Sequence, residues 1–545
     1  MKKTKRIMSA VMALLLLASL PAAAFAETYY IDQGSITVSA DTAGQYVTQP
    51  GVADNAPQTG ETIITQNDSS VQTSNTVTIS AGAGATAEVT LDGVNIDTSG
   101  SGNAAVSTAG AGDVTVELDN TNTIKSGNGH AGLEKNNTGE LTVTDSDNDN
   151  GSLSATGGQS GAGIGGGSGS DGSKINIEGG TIDATGGIGS AGIGGGGFGG
   201  SGSDITINGG EVTATGGQQG AGIGGGSGGD GNNITINDGK VTAAGGQQGG
   251  SGIGGGAGSV RYSDDGSKVT ITGGNGNDIN ITGGKVTATG GGAGIGILSG
   301  SGIGGGMYGE GNDIAVSNSA QLKVQGGAQT YVNVWTGTGA GIGSGADFGE
   351  NYEPMDGIEI EPDISTLSIE GRIYYYAPNA NIDTDKPIKI VHGGECIPET
   401  DKAVAATCTS VGFTEGSHCS ICGKVLKAQE IIPMLGNSAD TQSIPLYRAT
   451  DKDGRDIVYK AERKNGVLTI TMDMDFAVLT GTLSGIRTLM AQGVETIVFV
   501  TKNAVSTFAL ADLTSKGGSG SYALTHDGAT VTFVLTDTDI SDILK

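Results

Sequence analysis

Apolar residues in the middle of the chain return on a nearly fixed step. Ile164, Ile193, Ile223 and Ile253 lie 29, 30 and 30 residues apart, and Ile303 and Ile342 repeat the pattern in altered surroundings. Two further ladders of apolar and polar alternation run between them. KINIEGG, DITINGG and NITINDG carry Ile175/Ile177, Ile205/Ile207 and Ile234/Ile236; TIDATGG, EVTATGG and KVTAAGG carry Ile182/Ala184, Val212/Ala214 and Val241/Ala243. Period-two alternation predicts short strands and the glycine-rich intervals predict corners, so each unit of about 30 residues holds three strands. One such unit cannot bury its apolar face alone, whereas stacking each strand on its copy one turn away builds a continuous inner column. The predicted fold is mainly β, a parallel β-helix, right-handed by the crossover rule.

Weaker copies extend the pattern. Val106 and Leu133 precede Ile164, and ETIITQ, TVTISAG and AEVTLDGVNI read as the opening coils. SVRYSDDGSKVTITGGNGN, inside the longer step from Ile253 to Ile303, reads as an inserted hairpin or an extra coil. The last coil falls at IEGRIYYYAPN, with Ile369 and Ile373 alternating and Pro378 ending the pairing. In AGIGGG the alternation is expected to turn Ala162 and Ile164 inward, with Gly163 and Gly165 leaving the outer face bare.

These boundaries predict a signal peptide over 1–26, the β-helix over 27–390, a cysteine module over 391–437 and a small α/β domain over 438–545. In the last, VLTITMD and ETIVFV read as strands around a helix from about Leu479 to Met490, buried through Leu483, Ile486 and Met490 and stopped by Gly493. Asp527-Gly528 marks the turn of its last hairpin.

The leader is basic at Lys2, Lys3, Lys5 and Arg6, apolar from Ile7 to Leu20, and closes on Ala24-Phe25-Ala26. It predicts export, hence a secreted or cell-surface protein; no later stretch is apolar and long enough to span a membrane. A formal charge of −29 disfavours nucleic acid and anionic membrane as partners, because each phosphate contact would work against net repulsion.

Four candidate sites stand out. Cys408, Cys419 and Cys422 form C-x10-C-x2-C-G, the shape of a zinc knuckle, with Cys396 as fourth ligand and His392 or His418 as substitutes; two disulfides are the alternative. Asp145, Asp147 and Asp149 alternate before Gly151 like the start of a calcium loop, but Thr156 stands where the closing acid belongs. Tyr331, Trp335, Phe348 and Tyr352 gather the aromatic rings that sugar platforms use. Thr213/Thr215 and Thr287/Thr289 set threonines outward on the third ladder. For catalysis there is little: Arg261 is the only arginine between Arg6 and Arg372, and no histidine lies between His130 and His392.

AEVTLDGVNIDTSGSGNAAV and the iterated GAGIGGG…ITINGGEVTATGG make the run from about 86 to 350 resemble glycine-rich β-helix surface proteins of Gram-positive bacteria, of the carbohydrate-binding-domain-containing type. That resemblance implies polysaccharide or cell-surface glycan as partner, and calcium as an associated ion. Ala162, Ala191 and Ala221 replace the aspartate of relatives with an Asp-Gly-Ile coil, which argues against a calcium ladder there. AVAATCTSVGFTEGSHCSICGKVLKAQEIIPMLG is similar to short cysteine modules of large surface proteins, which close on Gly-His where this chain has Gly436-Asn437. The expected function is a non-enzymatic carbohydrate-binding or adhesion protein. A stalk displaying the C-terminal domain and a β-helix polysaccharide lyase or hydrolase are the alternatives.

Overall fold

A computed structural model describes residues 26–146, 150–262, 269–292, 298–327, 337–348, 354–407, 410–434, 446–516, 520–536 and 538–545. The chain divides into two compact units, residues 1–399 with 418–426, and residues 400–417 with 427–545.

The first unit is a parallel β-helix built from three long sheets. One runs from Glu27–Tyr30 to Gly311–Val316, the second from Ile36–Asp41 to Ile342–Gly343, and the third from Asn95–Asp97 to Arg372–Tyr376. In each, a strand pairs in parallel with its copy one turn on. Ile164 lies opposite Ile193, then Ile223, Ile253, Ile303 and Ile342. A second column runs from Ile175 through Ile205, Ile234, Ile279 and Ile314, continuing earlier coils at Leu141, and a third from Ile182 through Val212, Val241, Val286 and Leu322, continuing Leu153. These side chains are buried in one apolar cluster, so the period in the sequence is the period of the core. Most of the longer step after Ile253 is absorbed by an antiparallel hairpin, Ser259–Tyr262 with Val269–Thr272, and the rest falls between Val286 and Ile303; the register is unbroken.

Both ends of the stack carry antiparallel strands. Gly44–Gln49 and Ala53–Gln58 extend the second sheet at the start, and Lys389–His392 pairs with Arg372–Tyr376 at the finish. Such strands block further parallel addition to an open edge. Ile373 is fully buried in the last coil, but Ile369 is 37% exposed and belongs to the turn before it, so the alternation expected across both residues holds for one alone.

The glycines at the second sheet differ from expectation. Gly163 and Gly165 do not face solvent; the whole run from Ser160 to Gly167 is buried. A Cβ on Gly194 would sit 2.1 Å from the carbonyl oxygen of Gly224, and one on Gly224 2.1 Å from that of Gly254. Neighbouring coils approach backbone to backbone here, a distance that excludes any side chain. Polar side chains tie coils elsewhere. The backbone N–H of Ser201 donates to Asp171 Oδ1 (2.8 Å), that of Asn275 to Asp230 Oδ1 (2.7 Å) and that of Glu310 to Asn275 Oδ1 (2.9 Å), each one coil above its acceptor.

The second unit has its own core around Phe499, Phe508, Tyr522 and Phe533. A five-stranded antiparallel sheet contains Phe476–Thr482, Ser521–Asp527 and Thr530–Leu535, and a four-stranded sheet contains Val467–Thr471 parallel to Thr496–Val500. Helix α1 spans Leu483–Ala491 and α2 spans Leu510–Ser515. Residues 479–482, expected to open α1, finish a strand instead, because Thr482 caps the helix by accepting from Gly485 N–H (3.0 Å). Leu489 is buried where Met490 was expected, and Met490 is 38% exposed. Gly493, at φ +80°, follows the helix as anticipated. The Asp527-Gly528 turn joins two paired strands, but a further short pairing, Thr530–Leu535 with Thr538–Asp539, follows it.

Candidate metal centre and outer faces

Strand Lys389–His392 ends on a buried histidine, and the loop after it brings Cys396 back towards the turn that carries Cys419 and Cys422. The ligand atoms of His392, Cys396, Cys419 and Cys422 all lie within 4.8 Å of one another. His392 Nδ1 is 2.8 Å from the Gly393 carbonyl, which can only accept, so Nδ1 carries the proton. The lone pair of Nε2 then faces the thiols, 3.2 Å from Cys419 Sγ and 3.9 Å from Cys396 Sγ. This is how second-shell carbonyls hold metal-ligating histidines. Gly423 closes the knuckle at φ +74°, its N–H donating to the Cys419 carbonyl (2.9 Å), and Cys419 N–H donates to the Lys424 carbonyl (2.8 Å).

Desolvation raises the pKa of the Cys419 thiol, but backbone N–H groups of Cys422 and Ile421, with Cys422 and His392 beside them, outweigh it and bring it to about 6. Desolvation, joined by the neighbouring thiols, pushes Cys396 the other way. Three sulfurs and one imidazole nitrogen at this separation are a donor set that can hold a metal such as zinc. Cys396, Cys419 and Cys422 are free thiols. His418 turns to Glu399 instead, 3.8 Å away, and Cys408 lies outside the described residues.

The outer faces of the β-helix are ruled in rows. On the third sheet Asp183, Thr213, Thr242, Thr287 and Lys323 stack coil on coil. Beside the first sheet, Asn208 Nδ2 donates to Glu178 Oε1 (2.8 Å), Asn237 Nδ2 to Asn208 Oδ1 (2.7 Å) and Thr282 Oγ1 to Asn237 Oδ1 (2.7 Å). Near the start of the stack the first sheet floors a groove of about 720 Å³ lined by Gln45, Glu61, Glu88, Thr115, Glu117 and Thr144, among others. Gln45 holds its wall in place, accepting from Glu88 N–H (2.8 Å) and donating to Thr62 Oγ1 (2.7 Å).

A family described as beta helix repeat matches residues 175–197, 205–227, 234–257 and 279–296. No curated protein and no solved structure matches the chain. The matched stretches are the coils whose three columns are described above.

Tyr331, Trp335 and Tyr352 lie outside the described residues; Phe348 belongs to a short strand, Asp347–Phe348, paired with Pro354–Met355. Asp147 and Asp149 also lie outside them, while Asp145 lines a shallow corner with Asn150 and Glu178. No helix among the described residues is long and apolar enough to cross a membrane.

One buried polar cluster escaped sequence reasoning. Glu134 meets His130 Nδ1 (2.8 Å) and accepts from Ala131 N–H (3.0 Å) and Asn136 Nδ2 (2.8 Å). Beside it Lys135 Nζ donates to the Asn137 and Gly139 carbonyls, both at 2.7 Å, and burial lowers its pKa to about 8. Glu134 pairs with Gly165 of the next coil, so these side chains fill a corner that later coils close with glycine.

Proposed function

We propose that this is a secreted, non-enzymatic glycan-binding or adhesion protein whose β-helix offers a polysaccharide a long, regular outer surface. The observation that carries the reading is the stacking of outward hydroxyls and amides in rows, one per coil. Such rows repeat at about 4.8 Å along the axis, so an extended polymer lying along Thr213, Thr242 and Thr287 meets a hydroxyl at each step. The leader supports secretion. The groove near the start has no arginine, lysine or histidine among its described lining residues, which weighs against a lyase, and two of its three carboxylates are already engaged: Glu61 accepts from the Thr90 hydroxyl, and Glu117 from Ser146, whose N–H donates to it at 2.6 Å and whose hydroxyl does so at 3.0 Å.

In this reading zinc is held by His392, Cys396, Cys419 and Cys422 as a structural ion. It would crosslink the strand that closes the last coil to the Cys419–Cys422 turn, with no open coordination position for chemistry.

A glycan array run with the full chain, with and without calcium, tests the function. Selective retention of a polysaccharide class is expected. Failure to bind any glycan favours a stalk, and release of reducing or unsaturated ends from an acidic polysaccharide would overturn the non-enzymatic assignment.

A further inference from the structure

Between Val71 and Met355 the large apolar side chains most open to solvent among the described residues are Ile188 and Phe198, 52% and 76% exposed. They stand on two adjacent ladders of turns. Gly158, Gly187 and Gly217 stack on one another, which places Gln159, Ile188 and Gln218 in one row. Gly167, Gly196 and Gly226 stack likewise, as do Ser170, Gly200 and Gly229. The turn between Gly196 and Gly200 therefore holds Gly197, Phe198 and Gly199, where the turns below and above hold only Ser168-Gly169 and Ser227-Gly228. Phe198 sits at the tip of a one-residue insertion.

Its backbone is costly. Phe198 has φ +62°, in the left-handed region, and Gly199 after it +95°, where the neighbouring turns hold one such residue each, Gly169 at +72° and Gly228 at +74°. A bulky residue there is an outlier, and nothing in the core requires it, because the ring points to solvent. The two ladders touch: Gly197 N–H donates to the Ser160 carbonyl (3.0 Å), Ser227 N–H to the Gly189 carbonyl (2.6 Å) and Ser227 Oγ to Gln219 Oε1 (3.1 Å). Ile188 and Phe198 thus flank the contact in which a Cβ on Gly189 would lie 3.8 Å from Gly197 Cα. The six turns concerned read GGQSG, GGIGS, GGQQG, GGSGS, GGGFGG and GGSGG, with no charged residue of their own in a chain of formal charge −29; Asp171 and Asp230 directly follow two of them.

We propose that the Phe198 turn is a subsite for a neutral sugar ring, with Phe198 as the platform, Ile188 as its apolar flank, and Gln159 and Gln218 supplying amide donors and acceptors for the ring hydroxyls. The inference rests on the glycan-binding reading and narrows it to one place and one ligand class. The absence of charge fits a neutral pyranose, and an aromatic face beside amides fits its apolar and hydroxyl-bearing surfaces. Two apolar side chains are too few for a protein interface, which needs roughly 800 Å² per partner.

The test uses the strained backbone. Phe198→Gly removes the ring and places glycine where left-handed geometry suits it, so the variant should melt slightly higher than the wild type while binding cellohexaose and chitohexaose at least tenfold more weakly by calorimetry. Phe198→Trp should bind as tightly as the wild type or more so. Unchanged hexamer binding by Phe198→Gly would overturn the subsite and leave the glycan-binding reading standing on other faces. Wild-type binding to charged glycans alone would do the same, and a wild type that binds no glycan at all overturns both. Sedimentation in parallel identifies the other occupant: a wild-type dimer that Phe198→Gly separates, with sugar binding unaltered, assigns the ring to a second copy of the chain and ends the proposal.

Discussion

Gly224 and Gly228 lie four residues apart in the same coil and answer to different physics. A Cβ on Gly224 meets the next coil's carbonyl oxygen at 2.1 Å, while one on Gly228 meets nothing within 4 Å. Gly228→Ala should therefore cost only the left-handed backbone penalty, about 1 kcal/mol. Gly224→Ala should cost more than about 3 kcal/mol, since the coils must part or the strand must shift. Chemical denaturation of both variants reads the difference directly, and equal losses would mean that close backbone stacking is not what these glycines permit. Ile223→Asp, one position away, tests the apolar column: an unpaired carboxylate there should cost several kcal/mol or titrate far above its usual range.

At the scale of the strand, position within a row decides what an outward substitution does. Thr213 stacks between Asp183 and Thr242, whereas Thr242 has Thr213 and Thr287 as its neighbours. Thr213→Asp should lose roughly 0.5 kcal/mol through like charges on adjacent strands, and Thr242→Asp almost nothing. The gap between the two midpoints should close in high salt. The knuckle yields a second comparison. Because His392 completes four donors, Cys408→Ser should keep one zinc per chain by elemental analysis, while Cys396→Ser, Cys419→Ser and His392→Ala should lose it. Sequence reasoning reached the three columns because apolar alternation is the direct imprint of a buried inner face. It named His392 only as a substitute ligand, because spacing along the chain shows which residues can share a turn, not which distant strand end meets it. The groove was less legible still: Glu88 and Glu117 are visibly outward in their strands, but nothing local says that Gln45 returns to wall them in.

Over the whole molecule, two separate cores imply two separately tunable stabilities, and one histidine distinguishes them. Of the four histidines, only His526 belongs to the unit formed by residues 400–417 and 427–545. It is fully buried against Phe499, with Nδ1 3.0 Å from Thr501 Oγ1 and Nε2 2.7 Å from Ser506 Oγ, and burial lowers its pKa to about 4. No acid among the described residues pairs with it, so the folded domain holds it neutral. Above the unfolded value near 6.5 neither state is protonated and its contribution to stability is complete. As pH falls towards 4 the unfolded chain takes up a proton that the folded domain refuses, and up to about 3 kcal/mol is lost. Between pH 6.5 and 5 most carboxylates remain ionised, and the Cys419 thiol, brought to about 6, belongs to the other unit, so within this unit the loss should stand alone. Hydrogen exchange resolved by peptide should show protection around Tyr522 and Phe533 falling over that interval, while the columns around Ile193 and Ile223 hold theirs. A chemical-shift titration of the His526 ring gives the independent check: a midpoint near 6.5 in the folded protein would place the imidazole in contact with water and remove the cause of the effect.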